Sequence, residues 1–585
     1  MAYYHELYTD ASIGDYFSVM WHGLPLDFSL AGYLTAIPGF LLIASAWTKS
    51  SILRRIRQGY FGIIAFVMSC IFIIDLGLYG FWGFRLDATP IFYFFSSPKD
   101  AMASVSFWFI LLGILAMLIY AAILYGIFYA VLIREKAPLK IPYQRQYVSL
   151  VLLLLTAALF IPIRGGFSVS TMNLSKVYYS QNQRMNHAAI NPAFSFMYSA
   201  THQNNFDKQY RFMDPKVADE LLTEMLDKPV AVTDSIPQIL NTQRPNIIFI
   251  ILESFSTHLM ETMGGQPNVA VNMDKFGKEG VLFTNFYANS FRTDRGLASI
   301  ISGYPGQPST SIMKYPEKTD GLPSIPRSLK NAGYSLEYYY GGDADFTNMR
   351  SYLVSSGIEK IISETDFPLS ERPGKWGAPD HTLFQRFLKD LKEEKQQEPF
   401  FKIVQTSSSH EPFEVPFYRL DDKVLNAFAY ADSCVGDFVR QYKETPMWKN
   451  TLIVLVPDHL GAYPRPVENP LEGHTIPLIL IGGAVKEPRV VDTYASQIDI
   501  AATLLSQLGL PHDDFTFSKN IFNPSSPHFG YFTEPTLFGM VTAENQLVYN
   551  LDANTVQIDE GTEKGANLEK GKAFLQKLYD DLAKR

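Results

Sequence analysis

The chain has 585 residues, 47% of them hydrophobic, and a formal net charge of −8 at pH 7. This length is too great for one ordinary domain, and the acidic balance excludes nucleic acid as an expected partner. The mean hydropathy of zero averages over two unlike parts, because residues 1–165 are strongly apolar and the rest is not. We therefore predict a transmembrane domain over residues 1–165, followed by a soluble region.

Four apolar stretches in the first part each approach the ~20 residues needed to cross a bilayer core. They cover residues 30–47, 60–84, 104–133 and 147–163. Basic residues cluster after the first and third stretches, which places both of those loops in the cytoplasm. These residues are Lys49, Arg54, Arg55, Arg57, Arg134, Lys136, Lys140 and Arg145. The N-terminus and everything after the last stretch are then expected outside, and the first span serves as the targeting signal.

The soluble region changes in character at Pro245. Residues 166–242 are polar and predict an extracytoplasmic connector. Beyond them, short apolar runs alternate with helical patterns, which is typical of a mostly parallel α/β sheet. The strand candidates are NIIFIIL, SLEYYY, FFKIVQT, TLIVLV and TIPLILI. We predict an α/β domain over residues 243–530, with further strands and a helix over residues 531–585.

Acidic residues or histidines follow four of the five predicted strands, and a histidine precedes the last. These residues are Glu253, Asp343, His410, Asp458, His459 and His474. The carboxyl ends of parallel strands meet at one edge of an open α/β sheet, where ligands bind. Each residue alone is also explained as a helix cap or a solvated loop residue, but the joint pattern predicts a site.

The residues at this edge allow metal-assisted chemistry. Glu253, Asp458 and His459 offer two carboxylates and one imidazole, a set suited to Mn²⁺, Mg²⁺ or Zn²⁺. Thr293, in ANSFRTDRGLASIISGYPG, stands at the predicted start of a helix, either as a simple N-cap or as a nucleophile. A hydroxyl at a helix N-terminus lies near free N–H groups that bind phosphate oxygens, and metal coordination would activate it for attack on phosphorus.

Four motifs carry a family resemblance: ILESFS, FRTDRGLASIISGYPG, SSSHEPF and VPDHLG, in this order after a polytopic N-terminal part. Together they resemble the lipoteichoic acid synthase family of membrane phosphotransferases, within the alkaline phosphatase and sulfatase superfamily. The resemblance implies a sulfatase-like catalytic domain over residues 243–530. It also implies that Glu253, Thr293, Asp458 and His459 hold one divalent metal ion, most typically Mn²⁺, with Zn²⁺ or Mg²⁺ as alternatives, and that His410 contacts the substrate phosphate.

Three features differ from the family pattern. The Phe-Trp-Asn-Arg motif of the synthases, which helps to bind glycerol phosphate, corresponds here to DFTNMR. It has no tryptophan, and its arginine, Arg350, is displaced by one position but stays a candidate substrate contact. TDRGL occupies the place of the Cys/Ser-x-Pro-x-Arg motif of sulfatases proper, so sulfate ester hydrolysis is not expected. Family members usually have five spans, and a helix preceding residue 1 would reconcile that number with four.

Other candidate substrate contacts are Arg292 and Arg295, which flank the threonine, together with Asp343 and His474. Each has a structural alternative, such as carboxylate pairing for the arginines or a backbone carbonyl partner for His474. Asp75 lies within the second span, where a carboxylate is costly. It is expected either to serve a function there or to be hydrated near the outer interface.

The sequence thus predicts a bacterial inner-membrane enzyme with a periplasmic or extracellular catalytic domain. It would move a phosphoglycerol-type head group from a phospholipid through Thr293 to an envelope glycan or lipid acceptor. Alternatives at the same site are a phosphoethanolamine transferase and a phosphodiesterase. A metal-binding pseudoenzyme and a membrane transporter are alternatives of another class, but the complete ligand set argues against the first, and four spans with one acid offer little to the second.

Overall fold

The computed structural model describes residues 1–48, 51–82, 84–86, 107–134, 144–180, 182–201, 206–232, 234–393, 396–460 and 469–585. It divides the chain into two units, Met1–Asn204 and Asn205–Arg585. The predicted connector over residues 166–242 is therefore shared between the two units. Three of the basic loop residues, Lys49, Lys136 and Lys140, lie outside the described residues.

The first unit consists of helices. Their bounds are α1 Ile13–Trp47, α2 Ser51–Trp82, α3 Phe107–Phe128, α4 Arg145–Ala158, α5 Phe160–Arg164, α6 Gln183–Ala189 and α7 Pro192–Thr201. Four segments of the described chain are long and apolar enough to cross a membrane: Ile13–Trp47, Ser51–Gly80, Phe107–Ile133 and Arg145–Arg164. The predicted number of candidate spans is confirmed. The first helix begins earlier than the predicted stretch, because Ser12 and Asp15 form a capping box at its N-terminus.

The acidic residue of the second span, Asp75, has partners within the first unit. The Arg85 guanidinium lies 2.6 Å from one carboxylate oxygen, and the backbone N–H of Leu86 donates to the other at 2.8 Å. The Asp75 side chain is only 1% exposed. Because a buried carboxylate is costly unless it is paired, these contacts give Asp75 a structural role in holding the chain that follows α2.

The second unit is built around an eight-stranded sheet with the order β5-β4-β6-β1-β7-β8-β2-β9. The strands of the unit are β1 Asn246–Leu252, β2 Val281–Phe283, β3 Phe286–Tyr287, β4 Ser335–Tyr340, β5 Lys360–Ile362, β6 Phe400–Gln405, β7 Thr451–Pro457, β8 Leu478–Ile481, β9 Arg489–Val491, β10 Ala495–Ser496, β11 Gly530–Glu534, β12 Leu537–Val541, β13 Asn545–Asn550 and β14 Thr555–Gly561. Strands β3 and β10 form a small pair, and β11 to β14 form a separate antiparallel sheet in chain order.

Helices surround these sheets. They are α8 Pro215–Met225, α9 Val271–Glu279, α10 Thr293–Ser302, α11 Pro316–Thr319, α12 Ile325–Asn331, α13 Met349–Ser355, α14 Asp380–Glu393, α15 Lys423–Tyr442, α16 Pro470–Gly473, α17 Ile500–Gln507 and α18 Leu568–Lys584. The alternation of strands and helices over most of this unit agrees with the predicted α/β class.

Strand β1 lies at the centre of the large sheet, where it pairs in parallel with β6 and β7. Its residues are all buried. Ile247, Phe249 and Ile251 belong to one hydrophobic cluster, whereas Ile248 and Ile250 belong to another on the opposite face. Because both faces are covered, the strand has no polar side to alternate with, which explains its uninterrupted apolar sequence.

The last predicted strand, TIPLILI, contains β8, which runs antiparallel to β7 and β2. The other strands of the large sheet are parallel to one another, so the sheet is mostly parallel, as predicted. The start of β8 lies at the edge where the parallel strands end. This reversal brings the loop that contains His474 toward that edge.

Candidate active site

Two neighbouring strands bring the metal-ligand candidates together. The register of β1 and β7 pairs Leu252 with Pro457. The next residues, Glu253 and Asp458, therefore leave adjacent strands at the same level, and His459 follows directly. Glu253 and Asp458 are buried, and His459 is partly exposed.

Thr293 reaches this edge from helix α10. Arg292 occupies the N-cap position without a side-chain cap, so Thr293 is the first helical residue rather than the cap. Its hydroxyl oxygen lies 3.5 Å from Oε2 of Glu253 and 3.4 Å from Nε2 of His459. The helix approaches β7 closely because Gly296 has no side chain: a Cβ there would lie 2.0 Å from a backbone carbonyl oxygen of the loop after β7.

The cluster fits a divalent metal ion. One candidate ligand atom from each of Glu253, Asp458 and His459 lies within 4.8 Å of the others. Oδ1 of Asp458 accepts the backbone N–H groups of Ser254 and His459, whereas its buried Oδ2 has no hydrogen-bond partner. Nδ1 of His459 lies 3.1 Å from the Leu460 carbonyl oxygen, which can only accept. The ring therefore carries its proton on Nδ1 and presents the Nε2 lone pair to the cluster.

Electrostatics supports the same assignment. Burial and the negative charge of Asp458 raise the pKa of Glu253 well above its usual value. Burial acts to lower the pKa of His459, but the charges of Asp458 and Glu253 raise it above its usual value. Both shifts arise because two carboxylates share a buried site with too little positive charge. A divalent cation would supply that charge, and oxygen donors with one imidazole suit Mn²⁺, Mg²⁺ or Zn²⁺.

Ser254 connects the two carboxylates, and it was not among the predicted site residues. Its backbone N–H donates to Asp458 at 3.0 Å, and its hydroxyl donates to Oε1 of Glu253 at 2.7 Å. Its φ angle of 55° lies in the left-handed region, which is unfavourable for a residue other than glycine. The sequence signal for this role is weak, since Ser254 merely follows a strand-end carboxylate.

His410 lies on the loop after β6 against Trp376, a second residue that the sequence did not single out. Their ring centroids are 3.9 Å apart. Nε1 of Trp376 donates to the Glu411 carbonyl oxygen at 2.6 Å, and Nδ1 of His410 lies 3.3 Å from the same oxygen. Burial lowers the pKa of His410. Trp376 also contacts Phe346 edge-to-face at 6.2 Å, so a tryptophan from another loop lies beside the DFTNMR stretch.

Two of the tentative substrate contacts bond to the protein itself. Nδ1 of His474 lies 2.9 Å from the Ala288 carbonyl oxygen, and Nε2 lies 3.1 Å from Oε1 of Glu534. The His474 ring also stacks on Phe532 at 4.1 Å. Oδ1 of Asp343 accepts the backbone N–H two residues later at 2.9 Å. Neither residue is among those that line the small pocket around Thr293.

The arginine candidates differ from one another. Arg295 is 7% exposed, and its Nε donates to the Gln307 carbonyl oxygen at 2.8 Å. Arg350 is paired with Asp345, with 2.6 Å between Nε and Oδ1. Arg292 is exposed at the N-cap of α10. Among the three, Arg292 is the one that presents its side chain to solvent next to the cluster.

Comparisons with known proteins agree with the predicted fold. Residues 245–510 match the sulfatase family model. This part of the chain is a sulfatase-family domain. The structure of a protein in the alkaline phosphatase superfamily from Vibrio parahaemolyticus superposes with a TM-score of 0.56 and 26% identity, covering 64% of this chain and 98% of that chain.

Two curated relatives share about a quarter of their aligned residues with the chain. The lipoteichoic acid synthase-like protein YvgJ of Bacillus subtilis is 23% identical over 311 residues, covering 48% of this chain and 50% of the relative. Phosphoglycerol transferase I of Xanthomonas campestris pv. campestris is 24% identical over 320 residues, covering 50% and 45%. The chain thus spans about half the length of these relatives. The predicted resemblance and the predicted sulfatase-like α/β fold are confirmed.

Proposed function

We propose that the chain is a metal-dependent phosphotransferase, anchored in a bacterial inner membrane, that moves a phosphoglycerol-type head group from a phospholipid to an envelope acceptor. The observation that carries the proposal is the position of the Thr293 hydroxyl, 3.5 Å from Glu253 and 3.4 Å from His459. The names of the relatives, a lipoteichoic acid synthase-like protein and a phosphoglycerol transferase, support the class of the transferred group.

The reaction takes two displacements at phosphorus. In the first, Oγ1 of Thr293 attacks the phospholipid phosphorus, the bond to the diacylglycerol oxygen breaks, and diacylglycerol leaves with the hydroxyl proton. In the second, an acceptor hydroxyl attacks the phosphothreonine diester and restores Thr293. Mn²⁺, or Zn²⁺ or Mg²⁺, bound by Glu253, Asp458 and His459 would supply the charge that activates the hydroxyl and stabilises the phosphoryl oxygens.

His410 is suited to the second displacement. A carbonyl oxygen can only accept, so the contact with Glu411 requires the proton on Nδ1 of His410. Burial lowers the pKa of His410, which keeps the ring neutral at pH 7 and leaves the Nε2 lone pair available. We assign His410 as the base that takes the acceptor hydroxyl proton and, once charged, donates to a phosphoryl oxygen.

The proposed orientation places the catalytic unit outside the cytoplasm, because basic residues follow the first and third spans. Nucleotides are absent there, so the donor's own phosphodiester bond has to supply the energy of transfer. A cysteine in place of Thr48, which is exposed between the first two candidate spans, should be shielded from an impermeant thiol reagent in intact cells. One in place of Lys216 should react, in a background without Cys70 and Cys434 and with any outer membrane permeabilised. A shielded Lys216 position would contradict the orientation and the lipid donor.

Mass spectrometry of the full-length protein tests the reaction itself. After incubation with phosphatidylglycerol and Mn²⁺, we expect Thr293 to gain the mass of one glycerol phosphate, and diacylglycerol to appear in equal amount. Thr293→Ala should abolish both, whereas Thr536→Ala, the same change at an exposed turn of the small sheet, should abolish neither. Labelling by phosphatidylethanolamine instead would assign the other head group. Equal labelling of the Thr293→Ala variant would refute the covalent mechanism.

A further inference from the structure

A cavity lies inside the first unit, between the first three candidate spans. Its volume is about 660 Å³, a size typical of ligand sites, which span about 300–1,000 Å³. Its walls come from the C-terminal half of α1, the N-terminal part of α2 and the end of the third span. Most of the lining residues are aliphatic or aromatic, and the charged residues among them are Arg54 and Arg57. We call this cavity the interhelical cavity. It belongs to a different unit from the site at Thr293.

A proline in α1 helps to shape the interhelical cavity. Pro38 lies inside the helix and has no N–H, so the Leu34 carbonyl oxygen loses the donor that a regular helix would provide. The Tyr60 hydroxyl of α2 donates to this oxygen instead, at 2.7 Å. Leu34 and Pro38 both line the cavity. The two helices are therefore joined at Leu34 by a long side chain, beside a cavity that extends toward their connecting loop.

The two ends of the interhelical cavity differ in polarity. Thr48, Arg54 and Arg57 line the end next to the loop that joins α1 to α2, whereas Phe61 and Ile64 line the far end. Arg54 and Ile64 are ten residues apart, which corresponds to about 15 Å along a helix. One leaflet of a bilayer core is also about 15 Å deep, half of about 30 Å. The cavity therefore matches a phospholipid in polarity and in depth.

The charge at the loop end is positive. Residues 48–57 and 134–145, which follow the first and third spans, contain eight basic residues and one acidic residue, Glu135. Their net charge is positive whichever pairs form among them. Nη2 of Arg57 donates to the Ile133 carbonyl oxygen at 3.1 Å, so this guanidinium is held between α2 and the end of the third span. Among the described residues that line the cavity, none is acidic. An anionic head group is therefore attracted to this end.

We propose that the interhelical cavity binds an anionic phospholipid, with an acyl chain between α1 and α2 and the phosphate beside Arg54 and Arg57. Under the proposed orientation, this lipid belongs to the cytoplasmic leaflet and is distinct from the donor, which reaches Thr293 from outside. A soluble phosphate would leave the apolar walls uncovered, and a zwitterionic lipid would gain less from the positive end. The inference goes beyond the proposed function and requires only that the first unit lies in a membrane.

Photo-crosslinking tests the head-group preference. Full-length protein in a zwitterionic detergent is given phosphatidylglycerol or phosphatidylcholine with a diazirine in the acyl chain, and the cross-linked peptides are mapped by mass spectrometry. We expect phosphatidylglycerol to label the α1 and α2 peptides of the cavity several-fold more than phosphatidylcholine. Arg54→Gln should lower this labelling about fivefold, the effect of one basic residue on an anionic lipid, and Arg54→Lys should retain it. Arg55→Gln is the matched control, because Arg55 is exposed and does not line the cavity.

A bulky side chain in the wall tests the position of the acyl chain. Leu42 and Ile37 are both exposed residues of α1, but of the two only Leu42 lines the cavity. We expect Leu42→Trp to reduce cross-linking of phosphatidylglycerol to the α2 peptides several-fold, because the indole occupies the space of the chain. Ile37→Trp should leave it unchanged. All variants are compared with the wild-type protein by thermal midpoint, so that a loss of folding is recognised.

Two outcomes would overturn the inference. Equal labelling of the α1 and α2 peptides by the two lipids would mean that annular lipid only occupies the cavity. Equal effects of Arg54→Gln and Arg55→Gln, or of Leu42→Trp and Ile37→Trp, would remove the head group or the chain from the assigned position. The measurement does not involve Thr293. If Thr293 stays unlabelled while the cross-links appear as expected, the proposed reaction fails and the interhelical cavity remains a lipid site.

Discussion

Polar side chains at the ends of β1 and β7 differ from those on the flank of the same sheet edge, in the loop before β8. The difference lies in how many of their polar atoms have hydrogen-bond partners within the protein. At the strand ends, Asp458 keeps one buried carboxylate oxygen with no hydrogen-bond partner. On the flank, both ring nitrogens of His474 have partners within the protein. Both residues reach the edge because of the strand they adjoin. What separates a ligand-binding side chain from a structural one is its remaining capacity to bond.

The same contrast exists within a single helix start. Thr293 and Arg295 are polar residues two positions apart in the first turn of α10. The hydroxyl of Thr293 faces Glu253 and His459, whereas the guanidinium of Arg295 is buried and donates to a backbone carbonyl oxygen. Sequence spacing places both residues at the edge. Local helix geometry then directs one toward the site and the other into the protein.

Replacing Asp458, whose Oδ2 has no hydrogen-bond partner, should have the largest effect on activity. Asp458→Asn replaces a carboxylate with a neutral amide at the metal cluster, and a bound metal ion contributes several kcal/mol to a displacement at phosphorus. We expect turnover to fall by about 1,000-fold or more, with lower metal content by elemental analysis. Asp552→Asn, at an exposed turn of the small sheet, is the matched control and should change neither quantity. Unchanged metal content in Asp458→Asn would contradict the ligand assignment.

Removing the Ser254 hydroxyl, which donates to Glu253, should have an intermediate effect on metal binding. Ser254→Ala removes the hydroxyl that donates to Glu253, and groups that orient metal ligands contribute about 10- to 100-fold to metal affinity or activity. Ser254→Gly removes the same hydroxyl but relieves the strain at φ 55°. Both variants should bind metal more weakly in a titration, while the glycine variant melts at the higher temperature. Metal affinity at the wild-type level in Ser254→Ala would show that the hydrogen bond from Ser254 to Glu253 is not needed for metal binding.

The sequence predicts the parts of this site that depend on topology. Glu253 and Asp458 could be placed together because their strands are apolar, parallel and adjacent, so their carboxyl ends meet. Ser254 and Trp376 could not be identified in the same way. The role of Ser254 depends on a positive φ angle, and that of Trp376 on a contact between two loops, and neither leaves a periodic signal in the sequence. The antiparallel direction of β8 was missed for the same reason, since a short apolar run carries no direction.

Replacing His474 should lower the stability of the fold without changing the reaction at Thr293. His474→Ala leaves the Ala288 carbonyl and the Glu534 carboxylate without their partner and removes a stacking contact with Phe532. We expect a loss of about 1–3 kcal/mol, seen as a lower thermal midpoint. Labelling of Thr293 per folded molecule should stay within about twofold. His474→Gln can still form hydrogen bonds and should lose less stability. A loss of labelling in a folded His474→Ala variant would instead place this histidine in the site.

The smallest effect is expected at a second fully bonded pair, in which Nε2 of His512 lies 3.3 Å from Oδ2 of Asp227. The hydrogen bond to Asp227 raises the pKa of His512 above 6.5. Burial opposes ionisation of Asp227, but the hydrogen bonds from His512 and Ser526 lower its pKa below 3.8. The pair therefore stabilises the fold fully between pH 3.8 and pH 6.5, the usual pKa values of the two groups. Its contribution is lost as the pH rises through the raised pKa of His512, or falls through the lowered pKa of Asp227.

His512→Gln tests this pH dependence. At about pH 6, we expect the variant to be less stable than the wild-type protein by about 1 kcal/mol, since the pair is partly exposed. The difference in thermal midpoint should shrink as the pH is raised above the pKa of His512, because the wild-type histidine then becomes neutral as well. Labelling of Thr293 should be unaffected at pH 6 and at the higher pH. A constant difference in midpoint across this range would mean that His512 stabilises the fold by packing rather than by charge.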